Sequence, residues 1–205
     1  FYISNFAFFV GIAAAAVLLV VPAYIFYRKD IKQVVLLGEG MAIAAVIVAL
    51  TFVICDLGRP ERIWHVIPYL GRMNFPDSIL AWDTIVLTGY FLINLVLLFY
   101  VLFLHYRERE PKSRLYWVFL VIGMFWAISI HTVTAFMFSS NPSRAMWHTS
   151  LLGPRFISSA FASGPALIIL TLGVINTATR YRISKTVIDT LALIMAIALQ
   201  ISLFF

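Results

Sequence analysis

Residues 43–60, IAAVIVALTFVICDLGRP, run almost without a polar side chain from Ile43 to Cys55 and then break at Asp56-Leu57-Gly58-Arg59-Pro60. The run is apolar on every face, which a helix on the surface of a soluble domain would not be. It extends back to Val34 with Glu39 as its one charged residue. That length meets the roughly 20 residues needed to cross about 30 Å of hydrocarbon. Gly58 and Pro60 close the helix and turn the chain. Asp56 therefore sits at the mouth of a membrane span, and Trp82-Asp83 opens the next apolar run at the same face. Ionised carboxylates at the edge of hydrocarbon are costly, and membrane segments keep them mainly where they line a site or a water-filled path.

Along the rest of the chain, the same criterion predicts six spans in all: Asn5–Tyr27, Val34–Cys55, Ile79–His105, Leu115–Phe138, Phe156–Thr179 and Val187–Phe205. The expected fold is all-α, a polytopic transmembrane helical bundle. Gly11 and the run from Ala13 to Ala16 give the first span a small-residue face for close packing. Gly164-Pro165 should bend the fifth. Residues 56–78 form a long connection whose Ile63-Trp64-His65 and Tyr69-Leu70 suit an interfacial segment, and Ser139 to Pro154, with Trp147-His148, forms a second. The chain begins with Phe1 near one hydrophobic run and stops at Phe205 inside another, so a longer polypeptide is expected.

The chain is 62% hydrophobic and 12% charged, with a mean hydropathy of +0.97, far from a soluble globular domain. The net charge of +6 is not a nucleic-acid footprint, because the basic residues cluster in short loops. Ten lysines and arginines fall in the connections after spans one, three and five, against five (Arg59, Arg62, Arg72, Arg144 and Arg155) in the other connections. The excess marks the cytoplasmic side, which turns the loop from Asp56 to Asp83 outward. Cys55 is the single cysteine, so neither an internal disulfide nor a cysteine-ligated iron–sulfur cluster can form within this chain.

Asp83 leads the candidates for chemistry. Leu87, Tyr90 and Asn94 follow it at helical spacing, making a polar stripe that should face other helices. The alternative is a helix cap paired with Arg59 or Arg72. Asp56 reads equally as a turn residue. Glu39 lies 17 residues before it, about 25 Å along a helix; it either marks the far end of a proton route or pairs with Lys32 near the interface. His131, inside the fourth span in Ser129-Ile130-His131-Thr132, could relay protons, donate a hydrogen bond or bond a neighbouring helix. His65, His105 and His148 fall in loops or at helix ends, which leaves no inward pair for a transmembrane haem. Phosphate-binding loops, HExxH and nucleophile elbows are absent from the sequence.

Taken together, Asp56-Leu-Gly-Arg-Pro60, an aromatic interfacial segment, Leu80–Asp83, Ser129–Thr132 and Trp147–Pro154, with Asn5-Phe6 through Gly11-Ile12 in the first span, resemble the NrfD/polysulfide-reductase membrane subunits. The flavour is that of members associated with sulfate and sulfite respiration, the DsrP or HmcC type. The resemblance implies a protein of eight to ten spans in the cytoplasmic membrane of a prokaryote, a menaquinone or ubiquinone site at the outer face, and no haem or iron–sulfur cluster in this chain. It implies as partners a ferredoxin-like iron–sulfur subunit on that face and further membrane and cytochrome subunits. Asp83 and Asp56 would be the catalytic carboxylates; Arg59, His131, Tyr90 and Asn5 would join them around the quinone, and Glu39 would feed the proton path to Asp83. Several relatives carry histidine at the place of Asp56, which puts its part as a quinone hydrogen-bond donor in doubt. A proton channel, a secondary transporter using Glu39, Asp56 and Asp83, and a haem-b anchor are the competing readings.

Overall fold

A computed structural model describes residues 1–14, 29–67, 70–109, 114–180 and 183–205, with the backbone alone for 29–33. The described residues are helical throughout, joined by turns. Among the described residues six α-helices follow in order: α1 (Tyr2–Ala13), α2 (Lys29–Asp56), α3 (Ile79–Tyr106), α4 (Arg114–Ser139), α5 (Leu152–Ala178) and α6 (Lys185–Phe204). Short 3₁₀ turns at Pro60–Val66 and Ala145–Trp147 sit within the two connections read as interfacial. Five of the helices, α2 to α6, are long and apolar enough to cross a membrane. The bundle is polytopic and membrane-embedded. The first expected span is described only as α1; its continuation from residue 15 to Tyr27 lies outside the described residues, as do Arg28, Tyr69, Lys112 and Arg182, and the side chain of Lys32.

The ends of the helices have local causes. Ser78 caps α3, its hydroxyl accepting from the Ala81 amide, which satisfies an otherwise orphaned donor. Pro60 occupies the first position of its 3₁₀ turn, where its missing N–H costs nothing. Pro165 lies buried inside α5, which runs on through it as one helix.

α1 packs against α2, α4 and α5; α3 bridges α2 and α4, and α6 lies along α5. Two apolar cores stack along the bundle. One joins Phe6, Val10, Ile12 and Ala13 of α1 to Ala42, Val46 and Ala49 of α2, Val86 and Leu87 of α3, and Ile130 of α4. The other gathers Val34, Leu97, Tyr116, Leu120, Ile168, Leu172, Val187 and Leu191. The outward faces stay apolar as well: Leu92, Phe99 and Phe103 on α3 and Val121, Phe125 and Ile128 on α4 are exposed. A helix hydrophobic all round in this way belongs in hydrocarbon.

Two polar contacts lock α3 in place. The Trp126 indole donates to the Val86 carbonyl at 2.8 Å, and the ring lies so close over Gly89 that a Cβ there would come within 2.5 Å of Trp126 Cζ2. The Tyr90 hydroxyl donates to the Ala13 carbonyl of α1. With water excluded, such a bond satisfies groups that would otherwise be costly to bury.

Candidate functional site

Asp83 lies in the second turn of α3, beyond its cap, and is only 4% exposed. Ala81, Val86, Leu87, Tyr90, Asn94 and Leu97 are buried with it, so the stripe expected from spacing faces the bundle. Trp82, next in the chain, points the other way: its indole donates to the Pro76 carbonyl at 2.9 Å and its ring meets Phe75. That contact ties the preceding loop to the helix start and leaves Asp83 facing inward. Across the interface Thr134 of α4 donates its hydroxyl to Asp83 Oδ1 at 2.6 Å. The carboxylate thus has a hydroxyl partner, not Arg59 or Arg72, both of which are exposed.

Asp83 and Asp56 line one pocket of about 330 Å³, the lower range of small-molecule sites. Its walls come from α1 (Tyr2, Ile3, Phe6), the end of α2 (Leu50, Phe52, Val53) and α3 (Leu80, Leu87), closed by Met137, Phe138 and Trp147. Thr84, Thr88 and Asn141 are its further polar groups. Asp56 is exposed at the rim, whereas Asp83 is enclosed. Phe138 packs edge-on to Phe6 and tilted against Trp147, and the Arg144 guanidinium lies 5.1 Å from the Trp147 ring centroid. Such a rim holds a cation–π contact where hydrocarbon gives way to headgroups. The arrangement suits an apolar molecule with a polar head: a greasy entry, aromatic walls and a carboxylate at the end.

The remaining candidates lie elsewhere. Arg59 caps the 3₁₀ turn and is exposed. Asn5 donates to the Phe1 carbonyl one turn back along α1. Tyr90 is spent on Ala13, and Asn94 donates to the Tyr90 carbonyl of its own helix. Glu39 is 2% exposed, with neither carboxylate oxygen hydrogen-bonded among the described residues. His131 borders a different cavity, on the far flank of α1. Among the described residues no three histidine, cysteine or acidic side chains gather as a metal site.

Thr134 stands out in the sequence only as lying one turn beyond His131. Its role as Asp83's partner spans 51 residues, and no local pattern announces it. Thr84 and Thr88 do carry a signal that sequence reasoning missed, because Thr84, Leu87, Thr88 and Asp83 crowd one sector of a helix wheel.

A family model described as polysulphide reductase, NrfD, matches residues 1–205. An Hdr-like menaquinol oxidoreductase integral membrane subunit from Archaeoglobus fulgidus is 26% identical over 194 residues, covering 94% of this chain and 46% of the relative. A selenate reductase subunit from Mesobacillus selenatarsenatis is 24% identical, the match covering 82% of this chain and 46% of the relative. The chain spans about half the length of the curated relatives it matches.

Proposed function

This chain belongs to the NrfD polysulphide reductase family, and on that footing we propose that it is the quinol-reactive membrane part of a respiratory oxidoreductase complex, with Asp83 as the proton-exchanging group. The observation that carries the reading is the shared pocket: a buried and a rim carboxylate at the end of an apolar, aromatic approach. The relative named as a menaquinol oxidoreductase subunit favours menaquinol over other quinols. The pocket's residues suit that substrate, since a lipid-soluble ring with hydroxyl groups asks for apolar walls and acceptors at the far end.

Oxidation of a quinol releases two electrons and two protons. Thr134 holds Asp83 Oδ1, so the other oxygen is the acceptor offered to a quinol hydroxyl. That proton passes to Asp83 as the electrons leave, and Asp56 at the rim takes the second proton or passes the first outward. One cysteine cannot assemble a cluster, so the electrons go to a partner, in this reading a ferredoxin-like iron–sulfur subunit on the pocket's face. Further membrane and cytochrome subunits complete the assembly. The lysine and arginine distribution supports turning that face outward from a prokaryotic cytoplasmic membrane. Glu39, buried on α2, is the candidate for a proton path to Asp83. Asp83→Asn in the full-length complex tests the proposal: assembly should persist while quinol-linked turnover is lost, and full turnover in that variant would overturn it.

A further inference from the structure

On the other flank of α1, a chamber of about 230 Å³ is lined by Ser4, Ala7, Phe8 and Gly11 of α1, His131 of α4, and Phe156, Ser159, Ala160 and Ser163 of α5. It shares no residue with the Asp83 pocket. His131 is 3% exposed, and its Nε2 has no hydrogen-bond partner among the described residues. Buried polar atoms are seldom left in that condition, and one that is asks for a ligand or a water.

The other ring nitrogen decides which kind. His131 Nδ1 lies 3.2 Å from the Ala127 carbonyl one turn back. A carbonyl oxygen only accepts, so Nδ1 carries the hydrogen and Nε2 of the neutral ring presents a lone pair. Nε2 must then be met by a donor. Serine hydroxyls, which both donate and accept, supply the rest of the polar lining at Ser4, Ser159 and Ser163. Bound water occupies about 10–15 Å³ of such space and wants two to four polar partners, a demand this chamber meets.

We infer that the chamber is a second binding site, which takes a neutral hydroxyl donor on His131 Nε2 between the serines of α1 and α5. The donor comes either from water or from the hydroxyl of a lipid-soluble alcohol or quinol. An oxidised quinone, whose carbonyls only accept, is refused at that nitrogen. The chamber is also joined to the carboxylate pocket through α4, because His131 and Thr134 lie one turn apart and Thr134 grips Asp83. The site does not depend on the quinol reading.

The test is a density map of the full-length protein in its native complex in nanodiscs, at a resolution that shows bound water. Three samples are needed: as isolated, with menadiol kept reduced, and with menadione. Round density within hydrogen-bonding reach of Nε2 in all three supports the site with water as occupant. A flat ring there with menadiol but not with menadione supports it with an organic hydroxyl. Nε2 bonded to a protein group, no density on it, or a menadione carbonyl seated against it each overturns the inference. Quinol turnover is read separately on the same samples, so loss of the chamber proposal leaves the Asp83 assignment standing, and the reverse.

Discussion

α1 parts two concavities of opposite character. Tyr2, Ile3 and Phe6 face a pocket that ends in carboxylates, while Ser4, Ala7, Phe8 and Gly11 face a chamber that ends in an imidazole. At about 100° per residue these two sets fall on opposite sides of one helix. The pocket has aromatic walls and an acid already engaged by Thr134; the chamber has serines and a nitrogen still to be engaged. The polar residues of this bundle therefore do not form one site. α4 serves both sides, with His131 to the chamber and Met137 and Phe138 to the pocket.

The largest expected effect falls on the pocket alone. Asp83→Asn keeps the shape and removes the proton acceptor, which should lower quinol turnover about 10²- to 10⁴-fold, the usual worth of a positioned general base. The same variant should leave density on His131 Nε2 unchanged. If both are lost, the two concavities act as one and the division between them collapses.

Thr134→Val comes next. The substitution keeps the volume and deletes the donor to Asp83 Oδ1. Hydrogen bonds to charged groups are worth about 1.5–3 kcal/mol, so turnover should fall by about ten- to a hundredfold, with assembly intact. Thr134→Ser restores the hydroxyl and should recover most of the loss. Equal activity in the valine and serine variants would show that Asp83 does not need this partner.

Much of this is legible in the sequence alone, and the reasons are physical. Apolar run length dictates a span, so Val34–Cys55, Ile79–His105 and Leu115–Phe138 fall within a few residues of α2, α3 and α4, except at the start of α2. Asp83, Tyr90 and Asn94 are buried together because helical period alone sets their common face. Partners across helices are not legible. Tyr90 meets Ala13 at a separation of 77 residues, and Thr134 meets Asp83 at 51. Nor does the sequence separate His131 from the acids, since Ser129–Thr132 and Trp82–Asp83 name residues without saying which flank of α1 each one reaches.

Stability distinguishes the interfaces that frame the two concavities. Gly89→Ala would set a Cβ within 2.5 Å of the Trp126 ring, itself held by the Val86 carbonyl. Neither can move without giving up a bond in hydrocarbon. The variant should lose about 1–3 kcal/mol, seen as an earlier thermal transition of the detergent-solubilised complex. A shift of α3 against α4 would also lengthen the Asp83–Thr134 contact, so turnover should fall along with stability. Wild-type behaviour in both would mean that the Trp126 ring swings aside freely.

Gly11→Ala tests the facing side of α1 and should do the least. Its new methyl would lie 3.6 Å from Ser163 Oγ and 3.7 Å from Ala160 Cα, ordinary contact distances. Replacing an interior helical glycine by alanine gains roughly 0.5–1 kcal/mol from backbone entropy, so the thermal transition should hold or rise slightly. The methyl also takes space at the edge of the chamber, beside a serine that lines it with His131. A small occupant such as water can shift to accommodate it, whereas a ring seated between α1 and α5 cannot. Unchanged stability with displaced ring density would therefore identify an organic occupant, and unchanged stability with retained round density would identify water. A marked loss of stability would mean that this side of α1 is as tightly fitted as Gly89, and the contrast between the two concavities would narrow to their chemistry alone.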